Sequence, residues 1–232
     1  MYERKIICLA NSRKPPSGRC VAGKRISDDE LAEWIRPVSA RATREVSEEE
    51  RRYEEGTKAR LLDIITIPLL QALPAVHQTE NHVLAEDYYW VKEGEAGWEQ
   101  VQACVDPYDP NFWVVGESTY HGSNDKIPEA RLPQIYSSLK LIQVPDLRVL
   151  VRAEAGYGGA PARRRVRGRF TYQGSYYLLA ITDPEIEEEY LTRGNGEYLI
   201  NDSALCISIA EAWNEYAFRL IASVITAERC SE

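Results

Sequence analysis

The sequence predicts a mainly β protein (β with short helices), folded as two small barrels packed in tandem. Three observations carry this expectation. β-Branched and aromatic residues fall in short runs punctuated by Gly, Pro, Asn and Asp, the texture of strands and tight turns. The last third of the chain reads as strand, strand, strand, helix, strand, strand. Within it, Arg163-Arg164-Arg165-Val166-Arg167-Gly168-Arg169-Phe170-Thr171-Tyr172 alternates charged and apolar residues with the period of two of a half-buried strand.

From the N-terminus, residues 4–11 and 18–26 read as strands around the turn-rich Ser12-Arg13-Lys14-Pro15-Pro16-Ser17, so the chain opens with a hairpin or wide loop whose tip is basic. Ser27-Asp28-Asp29-Glu30 has the capping-box pattern of a short helix, and Trp34-Ile35-Arg36-Pro37-Val38 follows as a strand. Pro37 argues for a sheet edge, because it cannot donate to a ladder. Ser47-Glu48-Glu49-Glu50 is a second capping box, with Arg51, Arg52 and Tyr53 completing a short helix. Residues 61–70 form the strongest buried strand of the first half. Residues 75–133 carry Trp90, Trp98 and Trp113, a helix at 98–105 and turn signals such as Asp106-Pro107 and Asp109-Pro110. They read as long connections around one or two strands, the kind of segment where binding residues gather.

Beyond Ser137, strands at 139–142 and 147–152 flank Pro145-Asp146, and a Gly/Ala/Pro loop at 156–162 leads into the arginine strand. Gln173-Gly174-Ser175 turns that strand into residues 176–181 as a hairpin. Asp183-Pro184-Glu185 starts a helix with Asp as N-cap and Pro at the first position, and Gly194 stops it after Arg193. Strands at 198–210, interrupted at Asn201-Asp202, and at 216–226 close the chain. This is the element order of an OB barrel, a five-stranded Greek-key barrel whose second and third strands often bind oligonucleotides. The first half holds a less regular version with long insertions, and no sequence repeat links the halves. The expected architecture is therefore two OB-like five-stranded barrels, residues 1–145 forming the N-terminal one with long insertions and residues 146–232 the C-terminal one.

A formal net charge of -8 and a pI near 5.1 exclude a uniformly basic nucleic-acid coat, so any polyanion site must be local. Basic residues gather at 13–44 and 163–169, whereas 63–154 is rich in carboxylates. No apolar run approaches the roughly 20 residues of a membrane span, and residues 6–10 are too brief for a signal-peptide core, so a cytoplasmic location without a membrane partner is expected. Cys8, Cys20, Cys104, Cys206 and Cys230 are odd in number with no C-x-x-C, which favours reduced structural thiols over a disulfide frame or zinc ribbon.

Arg163, Arg165, Arg167 and Arg169 would line one face of their strand, and planar guanidinium forks suit phosphate. With Tyr172 and Tyr177 stacking on bases and Arg13, Lys14, Arg19 and Arg36 extending the surface, the expected ligand is single-stranded nucleic acid or a nucleotide. The competing reading is a solvated sheet face, or one paired with the acidic residues 185–189. Tyr88, Tyr89, Trp90 and Tyr176 are further stacking candidates, although in a β-rich protein such aromatics, Tyr172 and Tyr177 included, are more often core. His77, Glu80, His82 and His121, with Asn81 and Asp125 nearby, suggest a metal or acid–base site for a nuclease or phosphoesterase. Their spacing argues against it: His77 and His82 are five apart and no H-E-x-x-H occurs. Gly18-Arg19-Cys20-Val21-Ala22-Gly23-Lys24 fails as a phosphate loop because Arg25 stands where a Ser or Thr is needed. Gly116-Glu117-Ser118-Thr119-Tyr120 lacks the final glycine of a nucleophile elbow. No catalytic residue and no cofactor are expected, and a protein-interaction adaptor is the third reading.

Lys5-Ile6-Ile7-Cys8-Leu9-Ala10-Asn11-Ser12-Arg13-Lys14, Gly18-Arg19-Cys20-Val21-Ala22-Gly23-Lys24, Trp34-Ile35-Arg36-Pro37-Val38-Ser39 and His77-Gln78-Thr79-Glu80-Asn81-His82 together resemble the prokaryotic dual OB-containing domain family. The similarity extends through Tyr120-His121-Gly122, Ser138-Leu139-Lys140-Leu141-Ile142, Thr182-Asp183-Pro184 and Leu205-Cys206-Ile207-Ser208, nearly the whole chain. The resemblance implies a pair of OB-like barrels, a setting in bacterial conflict or defence systems, and recognition of nucleic acid or nucleotides. It implies no catalytic set.

Overall fold

The computed structural model describes residues 1–26, 31–156 and 160–231. Strands β1 (Tyr2–Lys14), β2 (Gly18–Ile26), β3 (Leu31–Val38), β4 (Asp63–Ala72) and β5 (Asn81–Leu84) pair in the order β1-β2-β3-β5-β4, and β4 returns to β1 to close a five-stranded barrel. The β3–β5 pairing is parallel and the others are antiparallel. A short strand β6 (Val91–Glu95) pairs with the beginning of β4, beyond the reach of β5. Helix α1 (Trp98–Ala103) and strand β7 (Lys126–Pro128) follow in the connector.

The second barrel repeats the plan. Strands β8 (Leu139–Glu154), β9 (Arg163–Tyr172), β10 (Ser175–Ile181), β11 (Gly196–Ile209) and β12 (Tyr216–Ile225) pair as β8-β9-β10-β12-β11, with β11 back on β8 and β10 parallel to β12. Helix α2 (Pro184–Arg193) lies between its third and fourth strands, the position the sequence predicts, and β7 adds to the far side of β12. Asp183 caps α2 by accepting from the Glu185 and Ile186 N–H groups.

Several local expectations need correction. The Ser47 capping box forms, with Ser47 N donating to Glu50 Oε2 at 2.7 Å and Glu50 N to Ser47 Oγ at 3.2 Å, yet only turns follow it. Arg52 and Tyr53 are diverted into isolated bridges with Lys58 and Trp90, so tertiary pairing overrides the helix signal. The Ser27 capping box lies outside the described residues. Pro37 is not at an edge: it pairs with His82 in β5, beyond the stretch of β3 that pairs with β2, so its missing N–H leaves no ladder bond broken on that side. The two expected strands at 139–152 are one, β8, which runs through Pro145 and Asp146, and the expected division at 145/146 falls inside it. The interruption at Asn201-Asp202 is real but small: Asp202, at φ 45°, stands opposite Pro145, which has no N–H to offer.

The interior consists of three apolar clusters. One fills the first barrel around Ile6, Ile35, Ile65 and Trp90, and another fills the second around Leu147, Phe170, Leu179 and Ile221. The third joins them, with Ile7, Leu9 and Trp34 from the first barrel packed against Leu139, Leu141, Cys206 and Ile225 of the second. Gly168 fits closely into this packing, because a Cβ there would lie 2.3 Å from Ile221 Cδ1 and 2.9 Å from Leu147 Cδ1 and both side chains would have to shift. All five cysteines are free thiols, and burial pushes Cys104 up to about 11 and Cys8 and Cys206 well above their ordinary value.

Polar bonds cross the same seam. Arg36 and Glu80, 3.1 Å apart with side chains 5% and 2% exposed, both bind the Ser138 hydroxyl at the start of β8: Arg36 donates to it at 2.6 Å and it donates to Glu80 at 2.5 Å. Asp106 accepts from Trp34 Nε1 at 3.0 Å and Leu141 N at 2.8 Å and pairs with Lys24 at 2.5 Å. Removing one member of a buried ion pair strands the other charge. Glu80→Ala should therefore cost about 3–5 kcal/mol in chemical denaturation. The apolar double replacement Arg36→Met/Glu80→Leu should recover most of that loss; a cost no larger than that of a surface substitution would refute the assignment.

Candidate nucleic-acid interface

Strand β9 shows the alternation that its sequence predicts. Val166, Gly168 and Phe170 are buried, because β9 lies between β8 and β10 with one face on the barrel core. The other face points outward: Arg163 and Arg165 are exposed, and Arg167 and Arg169 are half-buried. Arg167 makes a bidentate pair with Glu154, at 2.6 and 2.9 Å, and lies 3.9 Å from Asp125. Arg169 shares Glu197 with Arg148. Among the described residues the Arg163 and Arg165 side chains make no hydrogen bond or ion pair. The carboxylates that meet the row come from β8, the connector and β11, whereas residue Glu187 of the acidic helix takes Arg13 at 2.7 Å.

A groove of about 770 Å³ follows this face, bordered by Arg163, Arg165, Arg167, Glu154, Arg13 and Glu187. Residues 155–156 and 160–161 of the loop between the barrel's first two strands form one rim, and positions 157–159 of that loop lie outside the described residues. Further along, the connector joins the edge of β10: Ser123 and Leu178 exchange backbone bonds at 3.1 Å, and Asn124 Nδ2 donates to Tyr176 O at 2.8 Å. Leu178 stands opposite Arg169 and is only 7% exposed. The face is open at both ends, with Arg163 and Arg165 at one and Thr171 and Tyr176 at the other.

The other expected contacts separate. Tyr177 is not a stacking surface for a ligand: it is 1% exposed, stacked on Phe170 at 5.3 Å with Trp113 at its edge. Its register opposite Phe170 makes it inward-facing. Tyr172 is half-buried and leans on Trp113 at 4.9 Å. Trp90 is core, whereas Tyr88, Tyr89 and Tyr176 are exposed. Arg13 borders the groove, and Lys14 beside it pairs with Glu211 at 3.1 Å. Arg36 is 4% exposed and paired with Glu80, so it does not extend the outer surface. Arg19 turns to a separate cleft of about 620 Å³ between the barrels, 3.8 Å from Glu48. There Glu48 also binds Arg51 and Lys58, each at 2.8 Å, and these bonds outweigh burial and hold its carboxyl at about 2. Trp213, 58% exposed in the β11–β12 connection, escaped the sequence reading, although a tryptophan between Glu211 and Asn214 in a strand-to-strand loop was a visible signal.

The histidines do not converge. His77 Nε2 contacts Ala210 O at 3.0 Å, His82 Nδ1 meets the Tyr2 hydroxyl at 2.5 Å, His121 lies edge-on to Tyr120, and Glu80 is committed to Arg36. Among the described residues no group of three or more His, Cys, Asp or Glu side chains is placed to hold a metal ion. Burial lowers the pKa of both His77 and His82 below the ordinary 6.5, with Arg36 and Arg4 adding to the effect. A histidine whose folded pKa is depressed stabilises the fold above its unfolded pKa and loses that contribution as pH falls. Thermal stability should therefore drop from pH 7 to about pH 5, and His77→Gln/His82→Gln should flatten that drop in melting curves; an unchanged pH profile in the variant would contradict it.

Two closed barrels with the same strand order, the second with its helix between strands three and four, place the chain structurally. No curated protein and no solved structure matches it. The family model of the dual OB-containing domain matches residues 4–224, which spans both barrels, and the chain belongs to that family.

Proposed function

We propose that this OB-fold module binds single-stranded nucleic acid or a nucleotide through the outer face of its second barrel, as a sensor within a bacterial defence system. The observation that carries the reading is the pair of exposed, unpaired guanidinium groups, Arg163 and Arg165, bordering the groove on β9. Strands two and three of an OB barrel are where oligonucleotides usually lie, and β9 is the second strand here. Buried or paired arginines contribute less, because a phosphate would have to displace a carboxylate already in place. The working charge is thus about two groups rather than the whole row.

That count sets the expected salt dependence. Each neutralised phosphate of a single strand contributes about -0.7 to the slope of log affinity against log salt. Two to three contacts give a slope of roughly -1.5 to -2, or about a tenfold loss of affinity for a fourfold rise in salt. In fluorescence anisotropy with labelled single-stranded DNA and RNA, Arg163→Glu/Arg165→Glu should abolish the salt-sensitive binding while leaving the melting temperature unchanged. Binding that ignores both salt and this substitution would sink the reading.

A further inference from the structure

A further cavity, of about 340 Å³, opens where the tip of the β1–β2 hairpin meets the β11–β12 connection. Its walls are largely apolar, from Pro15, Ile209, Ala210, Ala212 and Leu220, with Trp213 at the mouth. Its floor is polar. Ser12 and Ser208, 5% and 8% exposed, both line it, and neither hydroxyl has a hydrogen-bond partner among the described residues. Gln78, 5% exposed, is weakly engaged: Nε2 reaches Ile209 O only at 3.5 Å, and Oε1 accepts from Asn81 at 3.3 Å. Neither oxygen is sealed off, so both hydroxyls open onto the cavity and are available to a ligand with matching edge groups.

Apolar walls around a few convergent polar groups are the general form of a small-molecule site, and this volume lies near its lower limit. A planar heteroaromatic ring fits that form, since its faces are apolar and its edge carries donors and acceptors. The position favours one such ring. Arg13, Pro15 and Thr182 border both this cavity and the groove of Arg163 and Arg165, so the two spaces adjoin. An ion pair between Lys14 and Glu211, 3.1 Å, links the hairpin tip to the β11–β12 connection above the slot.

We propose that the slot receives the base of one nucleotide whose phosphates lie along the arginine groove, and that Ser12, Ser208 and Gln78 read its edge. This rests on the nucleic-acid reading above and adds base selectivity to it. The two barrels would then act jointly, the first supplying Ser12 and Gln78 and the second Ser208 and the phosphate-binding arginines.

The test compares short labelled homopolymers of each base with an abasic strand of the same length. At least one homopolymer should bind about tenfold more tightly than the abasic strand, the worth of one to two net hydrogen bonds. Ser12→Val/Ser208→Val should reduce that ratio towards one with the salt slope retained. Ala212→Trp, which fills the slot from its rim without altering the floor, should do the same and covers the case in which the valine pair fails to fold. Equal affinity for the abasic strand, or a base preference unmoved in both variants, overturns the slot while leaving the groove intact. No binding of any strand overturns both.

Discussion

Arg36 and Glu80 face each other in the interior with almost no solvent access, and the start of the second barrel is tied to the first through the Ser138 hydroxyl between them. Neither charge could be left alone there, because the cost of desolvating an ion is recovered only with its partner and its hydrogen bonds in place. The pair therefore requires β3, β5 and β8 to meet in one geometry. Around it, Ile7, Leu9 and Trp34 share an apolar cluster with Leu139, Leu141 and Cys206, so the seam is a core and not a surface contact. The groove and the slot depend on that rigidity: both take residues from each barrel.

A second buried cation serves the connector. Arg219 is 1% exposed and donates to the carbonyls of Phe112, Val114 and Asn124 at 2.7 to 3.2 Å, without a carboxylate in direct contact. Burial lowers its pKa to about 10, still high enough to keep it charged at neutral pH. Carbonyls of an irregular segment need donors once they leave water, and one guanidinium supplies several in a fixed fork. By holding the connector in place, Arg219 also positions Ser123 and Asn124 against the edge of β10.

The electrostatic design follows from an acidic chain carrying a local basic row. Glu154 and Glu197 neutralise the interior end of the row, where unpaired arginines would repel one another in partly excluded water. The outer end is left unpaired. The net charge of -8 opposes indiscriminate coating of nucleic acid, so a polyanion would be met only by local positive charge.

Much of the fold was legible in the residues alone. Period-two alternation placed β9, Asp183-Pro184 placed the start of α2, and the order of elements in the last third identified the OB plan, because each of these signals is written over a few adjacent positions. The Ser47 box misled for the same reason: it formed its local bonds, but whether a helix continues depends on pairings of Arg52 and Tyr53 with distant partners. Site chemistry was legible as residue types and not as their state. That the arginines form one outward face was determined by the sequence; which of them remain unpaired was decided by folding, since Arg13 meets Glu187 across 174 positions and Arg167 meets Glu154 across 13. Likewise Ser12 and Ser208 are unremarkable serines until barrel packing brings them to one cavity floor. Local pattern sets which way a side chain points, whereas charge neutralisation and cavity shape depend on distances between remote segments, and only the closed barrels fix those distances.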